Sequence, residues 1–309
     1  MMRRALLLAF ALAAHGACMA APKAAPGHEF GVIGHSFTNS RGEAYLEKSL
    51  AKTRSHALEF VVATGIKGES EPCSDTLYTR RRDLFDAARR PIVVLPAASD
   101  WSGCKNTAGR LVNIERLHRL REVFYPEAES LGARKLALTR LSISSKFRSY
   151  AENAYWMADK VLYGTVNIPS NNNHYRPEAG RNSEYEDRSV ANRFWLNRLF
   201  ALARRTKLKA VVLFSEGDIK ALTEPPGLLE RLGRASPTTQ DGYAATRRQV
   251  QALAAKFPGK VLLVDSAEAA GAVPSIEWRE NLGHVSVGSG TYHVKVAPDS
   301  ATMFTLEEP

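Results

Sequence analysis

Cysteine is scarce in this chain of 309 residues: there are three, Cys18, Cys73 and Cys104, and no Cys-x-x-Cys spacing. That excludes a cysteine-built zinc site and a closely spaced redox dithiol. No Gly-x-Ser-x-Gly stretch occurs, so the sharp turn that exposes a serine nucleophile has no sequence basis here. Beyond the first residues no segment approaches the 18 apolar residues of a membrane-spanning helix. Aromatic residues make up 8% of the chain and are not interleaved with the scattered lysines and arginines, which leaves no nucleic-acid-binding motif.

What is present begins with a leader. Arg3 and Arg4 precede the apolar run "ALLLAFALAA", and the small residues Gly16, Ala17 and Ala20 follow. This is the layout of a secretory signal peptide over residues 1–20, cleaved near Ala20 or Ala21. The expected location is therefore periplasmic or secreted. Cys18 follows "AHGA", but His15 stands where a lipoprotein site wants an aliphatic residue, so lipid anchoring is not expected. Losing Arg3 and Arg4 would take the net charge from +10 to +8, a surplus that favours an anionic small molecule or phosphate ester as partner. Two thiols then remain in an oxidising compartment, where Cys73 and Cys104 are expected to pair.

The segments alternate between strand and helix patterns. Strands are predicted at residues 29–35, 57–65 and 91–96, with amphipathic helices at 43–54 and 76–89 between them. A further helix is predicted over 113–124, where Ile114, Leu117, Leu120 and Phe124 recur at helical spacing. "LSIS", "NAYWMA" and "VLYGTVNIP" read as antiparallel strands, followed by a polar loop over 170–189. A long helix carries Ala191, Trp195, Leu199 and Leu202 on one face and leads to a buried strand at 210–218. A helix from Tyr243 to Phe257 and a strand at 260–265 come next. Residues 284–296 alternate with period two around Gly-Ser-Gly, which predicts a hairpin. His284 and His293 within it read as surface or packing residues.

This succession, and above all "GIKGESEPCSD" (65–75) and "SDWSGC" (99–104), resembles the calcineurin-like metallophosphoesterases, in particular an exported bacterial branch. The resemblance implies an α/β fold, a four-layer αββα sandwich with mixed sheets, spanning residues 28–296 and leaving 297–309 as a tail. It also implies a two-metal centre on the loops at the strand ends, which clamps a phosphoryl group and generates a hydroxide. The ligand positions are depleted. His35 stands at the first aspartate position, Thr64-Gly65 at the Gly-Asp pair, and Ala97-Ala98-Ser99-Asp100 at the third motif. Ser215-Glu216 and Asp265 stand at the later positions.

A full two-metal centre is therefore not expected, and the cofactor expectation is none or a single divalent metal. Metal candidates are His35, Asp100, Glu216 and Asp265; catalytic candidates are His35, Ser36 and Asp100. Lys67, Asn171, Asn172 and His174 are the candidates for ligand contact. The expected function is that of a divergent, non-catalytic member binding an anionic, phosphorylated ligand in the former cleft. Two alternatives are a phosphoesterase with an altered metal centre and a metal-independent esterase using Ser36 and a histidine.

Overall fold

A computed structural model describes residues 27–38, 42–54, 57–176, 178, 182–224, 240–268 and 273–309. The predicted leader and Cys18 lie outside them. The elements are β1 (His28–Ile33), α1 (Glu43–Lys52), β2 (Val61–Thr64), α2 (Asp75–Asp86), β3 (Ile92–Leu95) and α3 (Asn113–Phe124). Then come β4 (Thr139–Arg140), β5 (Ala154–Ala158), β6 (Val161–Thr165), α4 (Ser183–Arg205), β7 (Ala210–Ser215) and α5 (Ala244–Ala255). The chain finishes with β8 (Lys260–Asp265), β9 (Glu277–Arg279), β10 (Leu282–Ser286), β11 (Thr291–Val296) and β12 (Phe304–Glu307).

Two mixed sheets result, one ordered β12-β11-β1-β2-β3 and the other β4-β5-β6-β7-β8-β10-β9. The α/β expectation holds. Parallel strands covered on both faces need apolar residues throughout, and β2 "VVAT" and β3 "IVVL" are buried along their whole length. Alternate residues of the two sheets face each other in one core, where Phe30, Phe60, Trp156, Tyr163 and Phe214 meet. The outer face of the first sheet packs against α1, α2 and α3 through Leu46, Tyr78 and Leu120. That of the second packs against α4 and α5 through Trp195, Leu199 and Val250. Helices, sheet, sheet and helices thus form four layers. No described helix is long and apolar enough to cross a membrane.

Three local expectations change. "LSIS" forms a short 3-10 turn over Leu141–Ile143 after the two-residue β4. The polar stretch before residue 190 is not all loop, because α4 already starts at Ser183. Its inward position is filled by Arg188, fully buried and paired with Glu184 one turn earlier, so the burial leaves no apolar signal. The predicted hairpin does not form either. β10 pairs in parallel with β8, whereas β11 pairs antiparallel with β1 in the other sheet. Period-two alternation specifies strands with one buried face, and two strands in different sheets satisfy it as well as a hairpin does. Residues 304–307, in the stretch read as a tail, close the first sheet beside β11.

Candidate functional site

In open α/β sheets chemistry collects beyond the carboxyl ends of parallel strands. Here the loops after β1, β2, β3, β6 and β7 meet at one rim. His35 follows β1, and its Nε2 lies 2.9 Å from Ser99 Oγ in the loop after β3. The Ser99 hydroxyl donates to the carbonyl of Lys67 at 3.0 Å, so its hydrogen is committed and Nε2 of His35 carries the proton of their shared bond. Burial holds the His35 pKa below its ordinary value despite the nearby Asp100, which keeps the imidazole neutral.

Asp100 is the hub of the rim and is fully buried. Its Oδ1 accepts from the backbone N–H groups of Ile66 and Lys67, each at 2.9 Å, and its Oδ2 from that of Ala97 at 2.6 Å. Burial still raises its pKa against the pull of His35 and these amides. Lys67 is equally enclosed. Its ammonium donates to the carbonyls of Gly68 at 2.6 Å and Ser99 at 2.8 Å, and burial lowers its pKa against the attraction of Asp100, Glu71 and Glu69. The residue expected to reach a phosphate is turned into the protein.

Glu216, after β7, accepts from Ala98 N at 2.6 Å and Ser170 N at 2.9 Å through Oε2. Its Oε1 accepts from Ser170 Oγ at 2.9 Å. Burial pushes its pKa up to about 7, against these hydrogen bonds. Gly65 has φ +83°, and a Cβ there would stand 2.9 Å from the His35 ring. The imidazole therefore fills the space that a side chain at residue 65 would need.

Of the other candidates, Ser36 and His174 are buried, Asn172 is half-buried and Asn171 is exposed. Ser36 Oγ donates to the Gly34 carbonyl at 3.3 Å and does not meet the histidine beside it in a catalytic pair. Asn172, Asn173 and His174 hold φ between 53° and 55°, a left-handed run that asparagine tolerates best. Asn171 contacts Ser102, and Asn172 bonds the backbone of Gln240 and Gly242. The buried Arg188 guanidinium donates to both the side-chain and backbone oxygens of Asn173. His174 packs on the fully buried Trp101, ring centroids 4.5 Å apart.

Cys73 and Cys104 form a disulfide that ties the loop after β2 to the loop after β3, as the sequence leads one to expect. A disulfide is compatible with an exported protein.

Burial lowers the His174 pKa to about 4. A histidine depressed in the folded state adds stability above its unfolded pKa that is lost as pH falls through the folded value, because the unfolded chain then binds the extra proton. The expected loss between pH 6.5 and 4 is about 1–2 kcal/mol, allowing for partial solvent screening. Urea melts across that range check it: His174→Asn should flatten the slope attributable to this residue, and an unchanged slope would refute the assignment.

Asp265 does not join the rim. It lies at the end of β8 in register with Ser286 of β10, on the face of the sheet that also carries Leu263 and Leu282 towards the helices. There His284 Nε2 stands 2.6 Å from Asp265 Oδ2 and 3.4 Å from Asp218 Oδ1. Ser286 Oγ and Ala267 N both donate to the other oxygen, Asp265 Oδ1, at 2.8 and 3.0 Å. Burial opposes the imidazolium of His284, but Asp265, Asp218 and Glu277 outweigh it and raise its pKa. Among the described residues, Asp218, Asp265 and His284 are the one His, Cys, Asp and Glu group whose ligand atoms come within 4.8 Å of one another. Asp218 is not among the candidates read from the sequence, where "EGD" after the strand fits a pocket residue or a plain turn, and His284 reads there as a surface or packing residue. The signal available was His284 and Ser286 two apart on a strand, hence on one face.

No protein-family model matches the chain, and no curated protein is similar to it in sequence. Among solved structures, it is similar to a crystal structure described as a novel phosphatase of Mycoplasma pneumoniae, at 9% identity over 92% of this chain and 95% of that one, with a TM-score of 0.45. A likeness at that level carries no argument about chemistry.

Proposed function

We propose that this chain is a non-catalytic relative of the calcineurin-like metallophosphoesterases, an exported binding or structural protein whose phosphoesterase centre has been replaced by internal bonds. One observation carries the reading: the acids at the strand ends are committed to protein donors. Asp100 accepts from three backbone amides, and Glu216 from two amides and a hydroxyl. A two-metal centre needs several oxygen or imidazole donors free to converge on the ions. The residues at this rim do not fit one. The enclosed Lys67 ammonium supplies positive charge among the acids in place of cations.

The net charge, +10 for the whole sequence and +8 without Arg3 and Arg4, still favours an anionic partner. With Lys67 enclosed, such a partner meets surface lysines and arginines and not the closed rim. The test is hydrolysis of p-nitrophenyl phosphate and bis(p-nitrophenyl) phosphate by purified protein with Mn(II), Fe(II) or Zn(II). The expected rates equal those of buffer. Turnover that disappears in His35→Ala would overturn the reading and restore an altered metal centre.

A further inference from the structure

We propose that Asp218, Asp265 and His284 form a binding site for a single divalent cation of the zinc or manganese type, on the helix-facing side of the seven-stranded sheet. The site shares the loop after β7 with the rim, Asp218 lying two residues beyond Glu216, but opens on the other face of the seven-stranded sheet. Its three donors come from the loop after β7, the end of β8 and the middle of β10, whereas the rim is built between the two sheets. Strand alternation separates the two: Val264 and Val285 point into the core between the sheets, while Asp265, His284 and Ser286 point the other way.

The donor chemistry selects the ligand class. One imidazole nitrogen and two carboxylates suit zinc, manganese or iron better than an all-oxygen calcium site. The two acids carry the charge that balances a divalent ion when the imidazole is neutral. His284 Nε2 stands 2.6 Å from Asp265 Oδ2, 3.4 Å from Asp218 Oδ1 and 3.5 Å from Ser286 Oγ, while Asp218 Oδ1 accepts from the backbone N–H of Lys220 at 2.5 Å and Ser286 Oγ donates to Asp265 Oδ1, so the three ligand atoms already converge on one point.

Distances fit as well. Donors about 2.1 Å from a tetrahedral ion sit about 3.4 Å from one another. The His284–Asp218 separation is 3.4 Å, an opening of His284 from Asp265 by about 1 Å brings the second edge to that length, and the third edge, between the two aspartates, is within 4.8 Å. Asp265 is already aimed, since Ser286 Oγ and Ala267 N hold its Oδ1 and leave Oδ2 directed at the imidazole. Metal ligands are commonly oriented by such outer hydrogen bonds. Asp265 is buried, with 3% of its side chain exposed, while His284 at 16% and Asp218 at 25% face water. They border a cleft of about 410 Å³ that Lys220, Glu268 and Glu277 also line. An ion held by these three donors keeps its fourth position open to that cleft.

The experiment is calorimetric titration of Zn(II), and separately Mn(II), into purified full-chain protein carrying no histidine tag and stripped by chelation, with metal content confirmed by elemental analysis. One equivalent of at least one ion is expected to bind. Its affinity should fall by at least tenfold in His284→Ala and in Asp218→Asn, and stay within twofold of the parent in His35→Ala. Asp218 is partly exposed, so its variant keeps the test valid if His284→Ala fails to fold. No binding by the parent protein would overturn this site and leave the proposed function standing. Binding unchanged in His284→Ala and Asp218→Asn would overturn it as a surface adventitious ion. Binding lost in His35→Ala but kept in His284→Ala would overturn both readings, because the metal would then sit at the rim.

Discussion

Asp100→Ala is expected to lower stability by about 4 kcal/mol, the largest effect of any single substitution at the rim. The carboxylate is fully buried, and its removal leaves the N–H groups of Ile66, Lys67 and Ala97 without an acceptor. Each buried unpaired amide costs about 1–3 kcal/mol. Relief of the desolvation that raises the Asp100 pKa returns part of that. In a domain of this size the net loss lowers the thermal midpoint by roughly 10 °C. Asp100→Asn should fall between the two, because its carbonyl oxygen still accepts while its amide group meets an N–H donor. Calorimetric melts of the three proteins decide the matter. A midpoint for Asp100→Ala within 2 °C or so of the parent would mean that Asp100 is no structural hub, and the proposed function would lose its main support.

The second large effect comes from the disulfide. Cys73 and Cys104 are 31 residues apart, and in the chain-entropy account closing such a loop contributes about 3.5 kcal/mol. The double variant Cys73→Ala/Cys104→Ala should therefore unfold at lower denaturant concentration with nearly the same slope. A local effect on the native rim accompanies that global one. Asp100 and Trp101 lie between β3 and Cys104, and Ile66 and Lys67 lie between β2 and Cys73, so the bridge closes around the amides that Asp100 accepts. Amide exchange should accelerate first at residues 65–75 and 97–105. Uniform acceleration across both sheets, with no preference for the rim, would contradict that placement.

The enclosure of the rim was legible in part. Gly65, Ala97 and Ala98 carry no side chain able to bind a metal, so the scarcity of such groups at these loops is visible in the residues themselves. What those residues do instead is not. Lys67 reads equally well as a phosphate contact or a solvated loop lysine, and only the approach of Gly68 and Ser99 carbonyls turns it inward. Grouping Asp265 with His35, Asp100 and Glu216 follows from all four lying near strand ends. A side chain's face, however, depends on the register of its strand. Asp265 pairs with Ser286, and this directs it away from the rim.

The same limit governs the fold. The runs "VVAT" and "IVVL", the helical stripe of α3 and the pairing of two remaining cysteines are local or compositional properties, and they specify strands, helices and a crosslink without further information. Which sheet a strand enters is not local. β10 and β11 share one alternating pattern yet lie in different layers, because β8 and β1, distant in sequence, supply their backbone partners. Chemistry follows from that assignment. The donors of Asp218, Asp265 and His284 meet only because β10 pairs with β8 and places its polar face beside the end of that strand. Periodicity determines which residues are buried; long-range pairing determines which polar groups they are buried with.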